Sequence, residues 1–225
     1  MQRPSSGAKV ARTLADNFRL LNQTPVRIGV MSSVGHMRLS RFLAQFQQEY
    51  DGVEVAVTED SVADLKTALD DGEIDIAIMN VMNDLGDALH VRVLYEERYV
   101  VVFPPDHQLG ALNAIKLSDL SGEPYVDRLA CELREIVGKV CKDNNVDLYA
   151  RFRSEREDWV QAMVLARIGF AFMPEYSVTL PDLLQRPLVE PSVTRTISLV
   201  SVPGRPFSPA VAALVRAAQR FAWPG

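Results

Sequence analysis

The sequence predicts an α/β protein built on parallel strands, and three observations carry that prediction. Between Val26 and Met79, β-branched runs of strand length alternate with segments of helical periodicity. The alternation begins again after residue 124 and runs to Pro174. A last strand, Thr196 to Val202, leads into a helix that needs a surface the second set of elements has already covered. Strands alternating with helices form parallel sheets with right-handed crossovers. The closing helix is expected to return to the first set, so the chain crosses between two lobes twice, near Phe103 and near Val200.

The elements follow in order. Val10, Leu14, Phe18 and Leu21 make a narrow apolar stripe on a helix over 9–23, stopped by Pro25. Val26, Ile28 and Val30 mark a buried strand. From Leu39, the residues Phe42, Leu43, Phe46 and Tyr50 give one helical face. Ser32 and Ser33 sit where the period switches, with Gly35 after them; they either cap the helix or leave its amides free to seat an anion. A strand at Val53 to Val57 precedes Ser61, which with Asp64 resembles a capping box, and Gly72 ends that helix before the strand Asp75 to Met79. Ligands of such sheets sit beyond the carboxyl ends of the strands, here Met31 to Gly35, Thr58 to Ser61 and Asn80 to Met82. Arg98 to Phe103 is a strand stopped by Pro104-Pro105, and Glu96-Glu97 on its approach reads as solvated charge.

In the second set, 124–127 is a strand, 131–143 a helix and Leu148 to Phe152 a strand. Ser154 to Glu157 reads as a capping box ahead of a helix burying Trp159, Ala162, Met163 and Ala166, with Gly169 as its C′ residue. The strand Phe170 to Met173 follows. Pro181 to Pro191 reads as irregular, and Ser208-Pro209 supplies an N-cap and an N1 proline for the final helix.

Composition narrows the function. Hydrophobic residues at 48% and charged residues at 24% in 225 residues are globular values. A net charge of −5 leaves no basic stripe for nucleic acid, so DNA would have to be read by something outside these residues. No apolar run reaches about 18 residues and the first residues lack a secretory core, which makes a cytoplasmic protein the expectation. Two cysteines do not make a disulfide framework. There is no G-x-S-x-G, P-loop, G-x-G-x-x-G or H-E-x-x-H, and His36, His90 and His107 lack partners at metal-ligand spacing. No enzyme, cofactor or metal is expected.

Six segments in this order, RIGVMSSVG, L-x-x-F-x-x-x-Y, ALDDGEIDIAIM, RYVVVFPPDHQL, LSDLSGEPYV and ARIGFAFMPE, resemble the effector-binding regulatory domain of LysR-type transcriptional regulators over about residues 25–223. The resemblance implies a two-lobed periplasmic-binding-protein type 2 fold, two Rossmann-like lobes joined by two crossover strands. On it, 1–24 is a loose terminus and the end of a linker helix, 25–102 with 200–225 form lobe I, and 103–199 form lobe II. It implies a small-molecule effector held by Ser32, Ser33 and Val34, by Ser61 and Val62, and by Arg128, Leu129 and Ala130. Asn80, Ser154 and Glu155 are added from their place at strand ends. Arg128 is either the counter-charge of an anionic effector or solvated surface. The resemblance further implies a homodimer or homotetramer that meets DNA only through a helix-turn-helix domain absent from these residues. A transporter's solute-binding protein is the alternative, and the linker-like first helix in place of a signal peptide argues against it.

Some regulators of this family sense peroxide through two cysteines in the region of Cys131 and Cys141. If both lie on a helix over 131–143, their backbones stand about 15 Å apart along its axis. A disulfide needs Cα atoms within about 7 Å. A disulfide switch is therefore not expected, although Cys131 beside Arg128 and Arg134 could have a lowered pKa and react alone, while Cys141 packs inward with Val137 and Val140.

Overall fold

The strand β1 (Val26–Met31) is buried along nearly its whole length and sets the first sheet. It runs parallel to β3 (Ile76–Asn80), with Ile28 opposite Ile76 and Val30 opposite Ile78. These β-branched residues fill the layer between sheet and helices, where alternating positions both face apolar neighbours. Between the two strands come α1 (His36–Glu49), β2 (Val55–Asp60) and α2 (Val62–Asp71). The computed structural model describes residues 25–81 and 89–223. The expected helix over 9–23 and the end of the Asn80 to Met82 loop lie outside them.

The chain divides into two compact units. The first holds the described part of Met1–Val30 with Ser40–Leu94 and Ser198–Trp223; the second holds Met31–Leu39 and Tyr95–Ile197. Two of the divisions fall inside long strands, β4 (His90–Phe103) and β10 (Thr194–Ser201), rather than at their ends; the other two fall at the last residue of β1 and within α1.

In the first unit the strands run β2-β1-β3-β10. Ser61 caps α2, its hydroxyl accepting the Asp64 N–H at 3.2 Å, and Gly72 closes the helix with φ 74°. Leu65 and Leu69 are its buried face. The last helix, α5 (Pro209–Arg220), begins on Ser208 as N-cap with Pro209 at N1 and buries Val211, Leu214 and Val215. Phe221 and Trp223 beyond it meet Phe42 of α1 at ring separations of 5.4 and 5.2 Å. The closing helix thus belongs to the first unit.

The second unit holds β5 (Ile115–Lys116), β6 (Pro124–Arg128), α3 (Arg134–Asp143), β7 (Tyr149–Ser154), α4 (Glu157–Leu165), β8 (Ala171–Pro174) and β9 (Leu184–Val189). β4 is its axis, pairing antiparallel with β8 and β9, while β6 and β7 form a separate parallel pair. One apolar cluster gathers Tyr99, Val101, Phe103, Phe170 and Phe172 with Cys141; another gathers Val100, Val102, Val126, Val160, Val164 and Met173.

Several local expectations are corrected. α1 starts at His36, and Ser32 and Ser33 occupy a turn closed by the Val34 N–H on the Met31 carbonyl at 2.8 Å, so they do not cap the helix. Gly35 decides this: a Cβ there would collide with the Tyr176 carbonyl. β2 begins and ends later than read, at Val55 and Asp60, and β4 begins as early as His90. Residues read as irregular include β9, which Pro187 and the lack of alternation disguised; the β5 ladder reaches only Leu188 and Val189, so Pro187 needs no donor on that side. α4 begins at Glu157 with Arg156 as its N-cap, a side chain with no acceptor, so there is no side-chain cap; the Ser154 hydroxyl accepts the Arg156 N–H at 3.1 Å instead, and the Glu157 carboxylate binds Arg128. Its buried residues are Val160, Gln161 and Val164, and Trp159 is 47% exposed. The left-handed residue after it is Arg167, φ 64°; Gly169 serves a close approach to the Pro124 carbonyl.

The two glycines of this region make opposite tests. Gly169→Ala is expected to cost about 1–3 kcal/mol or more, because backbone must move. Gly138→Ala, in open space on α3, is expected to stabilise by roughly 0.5–1 kcal/mol through helix propensity. Urea unfolding of the two variants beside the parent measures both.

Candidate functional site

The turn after β1 places Ser33 at the centre of a buried polar cluster in the second unit. Ser33 is 0% exposed. Its carbonyl accepts from Ser177 Oγ at 2.6 Å and from Arg195 Nη2 at 2.7 Å; its hydroxyl accepts from Arg195 Nη1 at 2.7 Å and donates to Glu132 Oε2 at 3.2 Å. Arg195, on β10, is buried between two carboxylates. Its Nε and Nη2 donate to Glu97 Oε1 at 2.9 and 2.8 Å, and its Nη1 to Glu132 Oε1. Tyr99 completes the set, donating its hydroxyl to Glu132 Oε1 at 3.1 Å.

The electrostatics follow from burial and pairing. Glu97 lies in β4 with its other oxygen accepting the Tyr176 N–H at 3.3 Å, and burial pushes its carboxyl above the ordinary range despite Arg195. Glu132 goes the other way. Burial pushes it up as well, but Arg195 outweighs this and holds it below the usual carboxylate range. Arg195 itself stays charged, since burial, which opposes the charge, is overcome by Glu132 and Glu97. Burial and the neighbouring Glu132 carboxylate raise the Tyr99 hydroxyl, so it remains a donor.

Arg128 is neither solvated nor an open counter-charge, as either sequence reading had it. Its side chain is 1% exposed, and its Nε meets both Glu157 oxygens at 2.8 and 3.1 Å while Nη1 donates to the Phe172 carbonyl at 3.3 Å. The other expected residues are placed as follows. Ser32 is half-buried and Val34 buried on the same turn as Ser33. Leu129 is 41% exposed, its N–H on the Ser154 carbonyl at 2.9 Å; Ala130 is half-buried beside it. Ser154 accepts the Arg156 N–H, and Glu155 is exposed. Ser61, Val62 and Asn80 belong to the first unit: Ser61 is exposed and occupied by its cap, Val62 opens α2, and Asn80 is buried at the end of β3.

Glu97, Tyr99, Glu132 and Arg195 were missed. Glu97 had been read as solvated, yet it is 2% exposed. Alternation was the available signal: Tyr95, Glu97 and Tyr99 share one face of β4, with exposed Glu96 and Arg98 on the other.

The cysteine geometry also needs correction. α3 begins at Arg134, so Cys131 lies in the turn before it, and the separation along one helix does not apply. Both thiols are free and pack against the same apolar cluster, Cys141 with Val137 and Val140 as expected. Cys131 is not activated: burial pushes its thiol up, with Arg128 only partly opposing, and burial raises Cys141 too.

A family model described as the LysR substrate binding domain matches residues 21–223. BudR of Raoultella terrigena, an HTH-type transcriptional regulator, is 30% identical over 177 residues, covering 76% of this chain and 61% of BudR. OxyR of Escherichia coli strain K12, a DNA-binding transcriptional dual regulator, is 25% identical over 205 residues, covering 88% of this chain and 66% of OxyR. The chain therefore spans about two thirds or less of the length of these two relatives. Among solved structures, the effector binding domain of QuiR in complex with shikimate aligns at a TM-score of 0.74 and 18% identity, covering 88% of this chain and 96% of that one. The Synechocystis PCC6803 CcmR regulatory domain in complex with 2-PG aligns at 0.76 and 18%, with the same coverage. These likenesses show the fold, an α/β fold of the type 2 periplasmic-binding-protein kind.

Two outcomes test the electrostatics. Because Glu97 binds its proton more tightly folded than unfolded, its contribution to stability falls as pH rises from about 4.3, the ordinary glutamate value, through its raised pKa. Glu97→Gln should remove that falling component, so its urea stability climbs more steeply with pH than the parent's over that window. Mild stoichiometric peroxide should give no Cys131–Cys141 cross-link in peptide mapping; finding one would make thiol sensing the leading function.

Proposed function

This chain belongs to the LysR substrate binding domain family, and from that membership we propose that its effector is a small anion received at the turn after β1, on Ser33. It is the effector-binding domain of a LysR-type transcriptional regulator. The observation that supports an anion is the convergence of three donors, the hydroxyls of Ser33 and Tyr99 and Nη1 of Arg195, on one carboxylate. Charge-assisted hydrogen bonds are roughly twice as strong as neutral ones. Ser32 and Val34 flank the seat, and Leu129 and Ala130 lead from Arg128 to Glu132 beside it. The structural ion pair of Arg128 with Glu157 holds the end of β6 and with it the start of that loop.

The protein acts by binding, without turnover. An effector changes the output only by favouring one arrangement of the domain over another, so differential affinity is what the seat must supply. In the longer protein the change would reach DNA through a helix-turn-helix domain, in a cytoplasmic homodimer or homotetramer. The three- and four-residue spacing of Val10, Leu14, Phe18 and Leu21 in the sequence, outside the described residues, is what supports self-association. No helix among the described residues is long and apolar enough to cross a membrane.

A thermal-shift screen of small carboxylates tests the effector class. Hits should raise the melting temperature of the parent, and in a Glu132→Ala background, where no side chain competes for the hydroxyl, Ser33→Ala should bind them roughly ten- to a hundredfold more weakly, the loss of one hydrogen bond to a charged group. Equal affinity in the variant by calorimetry would place the site elsewhere. Light scattering at micromolar concentration should show at least twice the 25.0 kDa chain mass; a monomer alone would sink the assembly.

A further inference from the structure

The anion seat at Ser33 is already filled, and by the chain itself. Glu132 Oε1 takes the Tyr99 hydroxyl at 3.1 Å and Arg195 Nη1, while Oε2 takes the Ser33 hydroxyl at 3.2 Å. We propose that Glu132 is a tethered stand-in for the effector: the seat recognises a monocarboxylate, and a free one enters by exchanging with the Glu132 carboxylate. This rests on Ser33 being the effector seat and adds to it both the ligand class and the means of entry.

The two carboxylates on Arg195 are not equivalent. Glu97 holds the Nε and Nη2 edge, its side chain 0% exposed, and is fixed further by the Tyr176 N–H. Glu132 holds the Nη1 side with its side chain 9% exposed. If Glu132 leaves, Arg195 keeps one carboxylate and is not orphaned, and Nη1 with two hydroxyls is left facing the place Glu132 held. That set matches a carboxylate in number of donors and in charge. Exchanging one carboxylate for another leaves the net charge of the buried cluster unchanged, so the swap avoids the penalty of an unpaired buried ion.

The segment that carries Glu132 is suited to moving. Between β6 and α3, Leu129 still holds β7 through its N–H on the Ser154 carbonyl at 2.9 Å, and Cys131 and Leu133 pack in the apolar cluster; around Glu132 itself the backbone makes only local turns, Cys131 N–H on the Arg128 carbonyl at 3.2 Å and Arg134 N–H on the Cys131 carbonyl at 3.1 Å. Neither belongs to a sheet ladder, so Glu132 can withdraw without breaking one. A tethered group competes at an effective concentration on the order of millimolar, which weakens but does not abolish binding of the free ligand.

Acetate is the probe, titrated into the parent, Glu132→Ala and Glu132→Ala/Ser33→Ala, with chloride at equal ionic strength as control. Exchange predicts that the parent binds acetate saturably, that Glu132→Ala binds it at least tenfold more tightly, and that adding Ser33→Ala reverses most of that gain. If Glu132→Ala does not fold, Glu132→Gln, which keeps the volume without the charge, carries the same comparison. Acetate bound no more tightly by the Glu132 variant than by the parent, or only as well as chloride, would overturn the exchange while leaving the effector reading of Ser33 standing. Acetate bound equally by the single and double variants would overturn the seat at Ser33 itself.

Discussion

A guanidinium with no exposed surface cannot be left unpaired, and Arg195 is the one on which the second unit turns. Moving such an ion from water costs several kcal/mol even after relaxation, recovered only if its donors all find acceptors. They do: Nε and Nη2 on Glu97, Nη1 on Glu132 and Ser33 Oγ, and Nη2 again on the Ser33 carbonyl. Meeting that demand draws together the turn after β1, the middle of β4, the loop before α3 and β10. The cluster is therefore a by-product of satisfying one buried charge.

Arg128 solves the same problem differently. It is matched by a single carboxylate, Glu157 at the start of α4, and by the Phe172 carbonyl, so it ties β6 to α4 and β8. Arginine suits both places because its planar fork can engage several acceptors at once while staying charged. The contrast separates structure from function within one unit. Arg128 has one carboxylate partner and Arg195 has two, which is the asymmetry that the proposed exchange of Glu132 uses.

Among its described residues the first unit has no comparable constraint. Its stability comes from apolar layers, Ile28, Ile76 and Ile78 in the sheet, Leu65 and Leu69 from α2, and Phe42 against Phe221 and Trp223. Its ion pairs are peripheral, such as Arg27 with Asp75 at 2.8 Å and Lys66 with Asp70 on α2. Exposed pairs of this sort contribute little. The side chains of this unit thus explain a scaffold, and the polar chemistry of the chain is concentrated in the other.

Much was legible in the sequence because local rules decided it. The strand-helix alternation, the Ser61 and Ser208 caps, Gly72 as a left-handed stop and the return of α5 to the first unit depend on residues within a few positions of each other or on simple patterning. Family motifs added Ser33. Tertiary structure decided what those rules could not reach. Ser32 and Ser33 looked like caps because nothing local says that Gly35 must pass beneath the Tyr176 carbonyl. Ser154 to Glu157 looked like a capping box because nothing local says that the helix will begin only at Glu157, whose carboxylate meets Arg128. Glu97 looked solvated and Glu132 and Arg195 drew no notice, since a buried charge is intelligible only beside its partner, and these partners lie 63 and 98 positions from Arg195 along the chain. Periodicity reports which side of an element faces inward; which charges meet there is set by the packing of segments far apart in sequence.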